Sequence, residues 1–288
     1  MTCTRHHSQY VYSASAHALA AEFERPKKCS LAPQASVVLA GHGGHGSTRS
    51  PGQKIDGLIS FEEAYAEVGG SFDDCHGTHT TYAWSVLEGV SVAEMLTADR
   101  VVSRVAIYCA GDNKTDATYD FTGSYFENLR IAGYPVDIKL DTNSLHGHNT
   151  FGKLAQAYKK RTCDKLLLGY GMCDLGNAKL QELEETYHAL SGMSEIVAEW
   201  KKKDRPAERG VYRLSAANHF NLEEQIGKTE LEGFGSIICI PKFGVIRLGE
   251  IIVHRHSRSL TMFRVQMCSS GHGGSEGGTT SGGTTPPI

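Results

Sequence analysis

The chain predicts a mainly β fold, an antiparallel sandwich or barrel, with an inserted helical subdomain. Three observations carry that prediction. Runs rich in Val, Thr and aromatic residues, punctuated by Gly, Pro and Asn, fill residues 1–149. Between 150 and 205 the apolar period changes to that of a helix. From 206 to 268 the strand texture returns, and 269–288 is a Gly/Ser/Thr-rich tail.

The first run, "YVYSASAHALAAEFER", starts at Tyr10 and breaks at Pro26. "ASVVLAG" is a short run of the buried type, stopped by glycines. "GLISFEEAYAEVGGSF" alternates around Ile59, Phe61 and Tyr65 and stops at Gly69-Gly70. "HTTYAWSVLEGVSVAEM" and "DRVVSRVAIYCAGDN" follow, the second ending on the turn signal Gly111-Asp112-Asn113. "SVAEMLTADRVVSRV" also fits a single helix. In "SYFENLRIAGYPVDIKLD", Gly133 and Pro135 set a turn between two short runs, with Asn128 a tolerant turn or bulge residue.

Past His148 the apolar positions Phe151, Leu154, Ala155 and Tyr158 fall on one helical face, as do Leu180, Leu183, Tyr187 and Leu190. Asn177 suits an N-cap and Gly192 a stop, and Ile196 and Trp200 continue the pattern until Pro206. Strands resume in "GVYRLSAAN", "GSIICIPKFGVIRLGEIIVHRH" and "LTMFRVQMC". Alternation in "FGVIRLGEIIVHRH" puts Val245, Arg247, Gly249 and Ile251 on one face and Ile246, Leu248, Glu250 and Ile252 on the other. We read 1–149 and 206–268 as one β core and 150–205 as an insertion; the alternative is two domains divided near 150. The tail is poor in apolar side chains; left free it is expected to be a flexible linker, and packed on a neighbouring subunit it would be an assembly arm.

Composition bounds the function. A net charge of −3 and a pI near 6.5 argue against a nucleic-acid protein, which shows a basic face or stripe. No apolar stretch approaches the ~20 residues of a membrane helix. The N-terminus lacks the apolar core of a secretory signal, so the expected location is the cytoplasm, or outside by a route that reads no such peptide. The eight cysteines contain no C-x-x-C pair and are read as thiols, Cys109 and Cys239 in apolar runs.

The 14 histidines are clustered. His42 and His45 lie in "GHGGHG", and Cys75, His76 and His79 in "CHGTH"; imidazole and thiolate suit zinc or copper, so these five are candidate ligands. Asp73 and Asp74 are candidate carboxylate or outer partners. His254 and His256 form an H-x-H pair that a strand places on one face. Gly41, Gly43 and Gly46 satisfy G-x-G-x-x-G, but "STRSPGQ" follows in place of a helix, so "GHGGHG" reads as a turn rather than a nucleotide cradle. There is no H-E-x-x-H, no G-x-S-x-G elbow, no Walker loop and no kinase signature. Glu62, Glu63 and Glu67 in "FEEAYAE" read as a solvated strand face.

Four segments, "YVYSASAHALA", "LTADRVVSRV", "GSYFENLRIAGYPV" and "FGVIRLGEIIVHRHSRSLTMFRVQM", resemble an uncharacterised bacterial β-rich protein family. The resemblance covers both β parts, leaves the helical stretch aside and carries no activity. "FENLRIAGYPVDI" is also similar in texture to β-rich surface proteins. The expected function is a non-enzymatic structural or interaction protein that self-associates as a homo-oligomer or larger assembly, with the C-terminal tail as an assembly arm. The alternative is a metal-binding protein or metal-dependent enzyme built on the 42–45 and 75–79 loops.

Overall fold

A computed structural model describes residues 10–23, 28–55, 57–110, 116–140, 149–159, 211–217, 231–234, 236–240, 243–267 and 273–285. Three strands open the chain: β1 (Val11–Phe23), β2 (Cys29–Gln34) and β3 (Val37–Val38). Eight follow: β4 (Gly44–Ile55), β5 (Ile59–Asp73), β6 (Thr78–Val92), β7 (Leu96–Ala110), β8 (Thr118–Asp120), β9 (Tyr125–Glu127), β10 (Arg130–Ile131) and β11 (Tyr134–Pro135). Helix α1 (Phe151–Lys159) comes next. The chain then runs through β12 (Val211–Ser215), β13 (Glu232–Phe234), β14 (Ile237–Ile240), β15 (Gly244–His254), β16 (Ser257–Met267) and β17 (Gly273–Thr285).

These strands form two antiparallel sheets. The first has the order β13-β14-β15-β16-β17-β1-β2, with β12 on β15 and β3 on β1. The second runs β11-β10-β7-β6-β5-β4, with β8 and β9 on β7. β1 faces β5 and β6, β17 faces β6 and β7, and β16 faces β7, so the sheets pack as a sandwich rather than a closed barrel. Of the expected helical stretch 150–205, α1 lies among the described residues, with Leu154 fully buried; 160–205 lies outside them. "SVAEMLTADRVVSRV" is not a helix: it ends β6, turns through residues 93–95 and begins β7. Ala93 and Glu94 take positive φ in that turn.

The middle of the sandwich is made of small residues. Ala14, Ala16 and Ala18 of β1, Thr280 of β17, Ala64 and Ala66 of β5, Thr81, Ala83 and Ser85 of β6, and Ser103 of β7 are each at most 2% exposed. Ser103 and Thr280 share a hydrogen bond of 2.8 Å across the sheets. Larger fully buried side chains, among them Phe23, Phe121, Phe263, Leu87 and Ile107, surround this seam. Close packing of that kind leaves no room for a large residue on β17: a Cβ at Gly277 would stand 2.2 Å from the Phe263 ring, and one at Gly282 would stand 2.9 Å from Ile107.

That geometry overturns the expectation that the tail is a flexible linker. Gly273–Thr285 is an interior strand, paired with β1 from Val11↔Thr285 to Phe23↔Gly273 and with β16 from Ser257↔Gly283 to Met267↔Gly273. This strand is made of Gly, Ser, Thr and one Glu, yet it buries backbone, and both of its edges find ladder partners.

Each sheet also carries a transverse line where inside and outside exchange. In β5 the core positions run Ile59, Phe61, then Ala64, Ala66, Val68; in β6 they run Ala83, Leu87, then Val90, Val92. Gly89 sits at the switch with φ +60°, beside Glu62. In the first sheet Gly278 (φ +62°) lies opposite Ala18 on one side and Met262 on the other, and the parity of all three strands changes there. Left-handed backbone of this kind is open to glycine at little cost. Simple alternation therefore misassigns β15: its core residues are Ile246, Leu248, Ile251 and Val253, since the left-handed backbone at Gly249 (φ +61°) reverses the phase while the register with β16 is kept.

Candidate functional site

The outer face of β4, β5 and β6 gathers a connected set of polar and aromatic side chains. Beyond the switch line, Tyr65 and Glu67 project from β5 on the face opposite Ala64, Ala66 and Val68. Tyr82 and Trp84 project from β6 opposite Ala83. The register sets Glu67 across from Trp84 on one side and Ser47 on the other, and Tyr65 across from Arg49. Glu67 thus stands at the centre of three strands.

Tyr82 donates its hydroxyl to Glu67 Oε1 (2.8 Å), Tyr65 donates to Glu67 Oε2, and His45 Nε2 lies 3.1 Å from Oε1. Burial works to raise the Glu67 pKa, but these three contacts outweigh it and hold the carboxyl below its ordinary range. The same contacts act on the phenols in reverse. Tyr82 is pushed up to about 12, by burial first and by Glu67 second, and Tyr65 is raised chiefly by its hydrogen bond to Glu67. Tyr65 meets Trp84 edge to face at 5.7 Å, and Arg49 lies over the Tyr65 ring at 5.3 Å while pairing with Glu63 at 3.1 Å.

A second cluster plugs one end of the core. His79 of β6 stacks on Tyr10 at 3.8 Å and 4°, is hydrogen-bonded through Nδ1 to the Tyr12 hydroxyl (2.8 Å), and packs near Phe72. Burial lowers its pKa, so the ring is neutral at pH 7.

The expected metal ligands are therefore distributed among separate partners. His42 is exposed in the turn that Gly43 closes onto Ala40, whereas the second half of "GHGGHG", Gly44 to Gly46, already belongs to β4. His45 is on the exposed edge strand β4, with Glu67. Cys75 is an exposed free thiol in the β5–β6 turn. Its amide and that of His76 both donate to Asp73 Oδ1, and the His76 ring lies 2.7 Å from Asp73 Oδ2. That ring holds the exposed Asp73 carboxyl below its ordinary range. His79 is enclosed by aromatics. His254 ends β15 and His256 lies in the following bend, so the pair straddles a turn instead of sharing a strand face, and the His254 carbonyl accepts from Arg258. Among the described residues no group of three or more His, Cys, Asp or Glu is arranged to hold a metal ion.

Sequence reasoning placed Glu67 on an exposed face but missed Tyr65, Tyr82, Trp84 and Arg49. The available signal was the period-two pair "YAE" and "YAW", where alanine fills the core side and the large residue the other.

No helix among the described residues is long and apolar enough to cross a membrane. Neither the curated proteins nor the solved structures contain a match to this chain. A family profile described as a domain of unknown function does match, over residues 10–254, ending at the last residue of β15. The chain belongs to that family, DUF8256.

Proposed function

We propose that this protein is a non-enzymatic interaction protein that docks a second copy of itself through the outer face of β4, β5 and β6. The observation that carries this reading is the Tyr65–Trp84–Arg49 cluster, in which two amphipathic aromatics and an arginine converge on an open sheet face. Those three residue types supply most binding energy at protein interfaces, because they bury large area at low entropic cost. The charges around the cluster favour a like face as partner. Arg49 pairs with Glu63 and Arg100 with Glu88, so opposite charges alternate across the surface instead of forming one large patch of a single sign that would repel its own copy.

The hydrogen bonding of Glu67 further supports binding over acid–base chemistry, since both of its oxygens already have partners. The alternative of a metal site on the 42–45 and 75–79 loops has less support, because His45, His76 and His79 each hold a different partner.

Sedimentation velocity across a concentration series tests the reading with Trp84→Ala and Tyr65→Ala. Loss of a hot-spot residue costs about 2 kcal/mol or more, so dimerisation should weaken about thirtyfold in either variant while the circular dichroism spectrum is retained. An unchanged dissociation constant in both, or a wild-type protein that stays monomeric throughout, overturns it.

A further inference from the structure

We propose that β17 is an exchangeable strand, and that the slot between β1 and β16 accepts the C-terminal strand of a second copy of this chain. The proposal is independent of the outer face of the other sheet. It begins from the strand order: β17 is antiparallel to both neighbours, so without it β1 and β16 would present two open edges to one gap. Open edges of that kind are the template on which another strand pairs.

Little in β17 ties it to its own chain. Its attachment is chiefly main-chain hydrogen bonding along both edges, which a copy of the same strand reproduces bond for bond. The space above its glycines is filled from the neighbours, by Phe263 over Gly277, Met262 and Val101 over Gly278, and Ile107 over Gly282. Any incoming strand must therefore be equally small, and an ordinary peptide with a branched residue at these positions would clash. That requirement selects "GGSEGGTTSGGTT" itself as the occupant. Gly-rich, two-sided polar strands specify register weakly and are the ones that exchange, and swapping identical elements between protomers is a low-cost route to assembly.

Two side chains of β17 oppose exchange, Thr280 through its buried hydrogen bond to Ser103, and Glu276. Glu276 is the single charged residue of β17, and it reaches both flanking strands: His17 Nε2 of β1 lies 3.3 Å from Oε1, and Arg264 Nη2 of β16 lies 3.1 Å from Oε2. Arg264 in turn meets Glu250 of β15 at 3.3 Å. Glu276 acts as a register pin, and its removal should speed exchange.

The test uses two full-length variants, Ser15→Cys and Ser281→Cys, at positions directly opposite each other on β1 and β17. Neither chain alone carries both new thiols, so in an oxidised mixture any peptide joining positions 15 and 281, identified by mass spectrometry, must link two copies. The proposal expects that peptide in the mixture, in an amount that rises with protein concentration. It expects the peptide about tenfold sooner when both chains also carry Glu276→Gln, the loss of a charged hydrogen bond being worth roughly that factor.

Its absence from the mixture, while the double variant forms the link within one chain, overturns the proposal. Should the double variant not link, a second measurement decides. The Trp84→Ala protein is refolded from urea at high and at low concentration, then diluted and sedimented. A dimer that forms only at high concentration and persists on dilution supports exchange, and monomer under both conditions overturns it.

Discussion

Strands β4 and β17 have nearly the same texture, "GHGSTRSPGQKI" and "GGSEGGTTSGGTT", and opposite fates. β4 is the edge of its sheet and exposed along most of its length; β17 is an interior strand of the other sheet, with Ser275, Thr280 and its central glycines buried. The difference lies in what accompanies the small residues. β4 carries His45, Arg49, Pro51 and Lys54, and charges and proline are the devices that keep an edge from pairing. β17 has no proline, no cation and one carboxylate, so nothing prevents a ladder on either side. A small residue in a strand is thus a statement about its neighbours. Beside Phe263, Met262 and Ile107 it makes room for them; beside solvent it makes nothing.

Substitution should separate the two strands most sharply. Gly277→Val drives a branched side chain into the Phe263 ring and is expected to cost about 3 kcal/mol, read as a lowered urea midpoint. Ser47→Val on exposed β4 should stay within about 0.5 kcal/mol. Equal effects would erase the contrast.

Next in size is the buried contact between the sheets. Ser103→Ala leaves Thr280 without its partner and should cost about 1–3 kcal/mol, whereas adding Thr280→Val should recover part of that loss. A double-mutant cycle with no coupling would mean that the hydroxyls do not interact.

The Glu276 pin makes a smaller, pH-dependent contribution. Contact with His17, and then the charge of Arg264, holds the Glu276 carboxyl below its ordinary range despite burial. A depressed folded pKa contributes stability that is present above the unfolded value, about 4.3, and is lost as pH falls through the folded value. Glu276→Gln should therefore lower the urea midpoint at pH 7, and the gap from wild type should close on acidification. A gap that is constant with pH would assign the effect to packing alone.

The smallest change is expected on the outer face of the other sheet. Trp84→Ala should move stability little relative to its effect on association, since Trp84 is only partly buried. A large drop in unfolding midpoint would recast the cluster as a fold element.

Much of the fold was legible because β5, β6 and β7 carry long Val-, Ala- and aromatic-rich runs, although β5 passes through Gly69-Gly70, where the sequence suggested a stop, and continues to Asp73. The positive φ of Asn128 and the turn at Gly133 were likewise readable from turn chemistry. β17 was not. Sequence patterns report side-chain burial, and β17 is held by backbone pairing and by the side chains of other strands. The face assignments failed for a related reason. A left-handed glycine such as Gly89 or Gly278 reverses the alternation, and one chain does not announce which of its glycines do so. At the candidate site, the histidines drew attention by composition, while Tyr65, Trp84 and Arg49 are joined only by a register between three strands.

The placement of β17 is tested most directly by native-state amide hydrogen exchange at residues 275–283. Protection is predicted to be comparable to that of the partner residues on β1 and β16, Ser13–Ala21 and Ser257–Val265. Exchange at the rate of an unstructured peptide across these amides would contradict it, and would return the segment to a free tail.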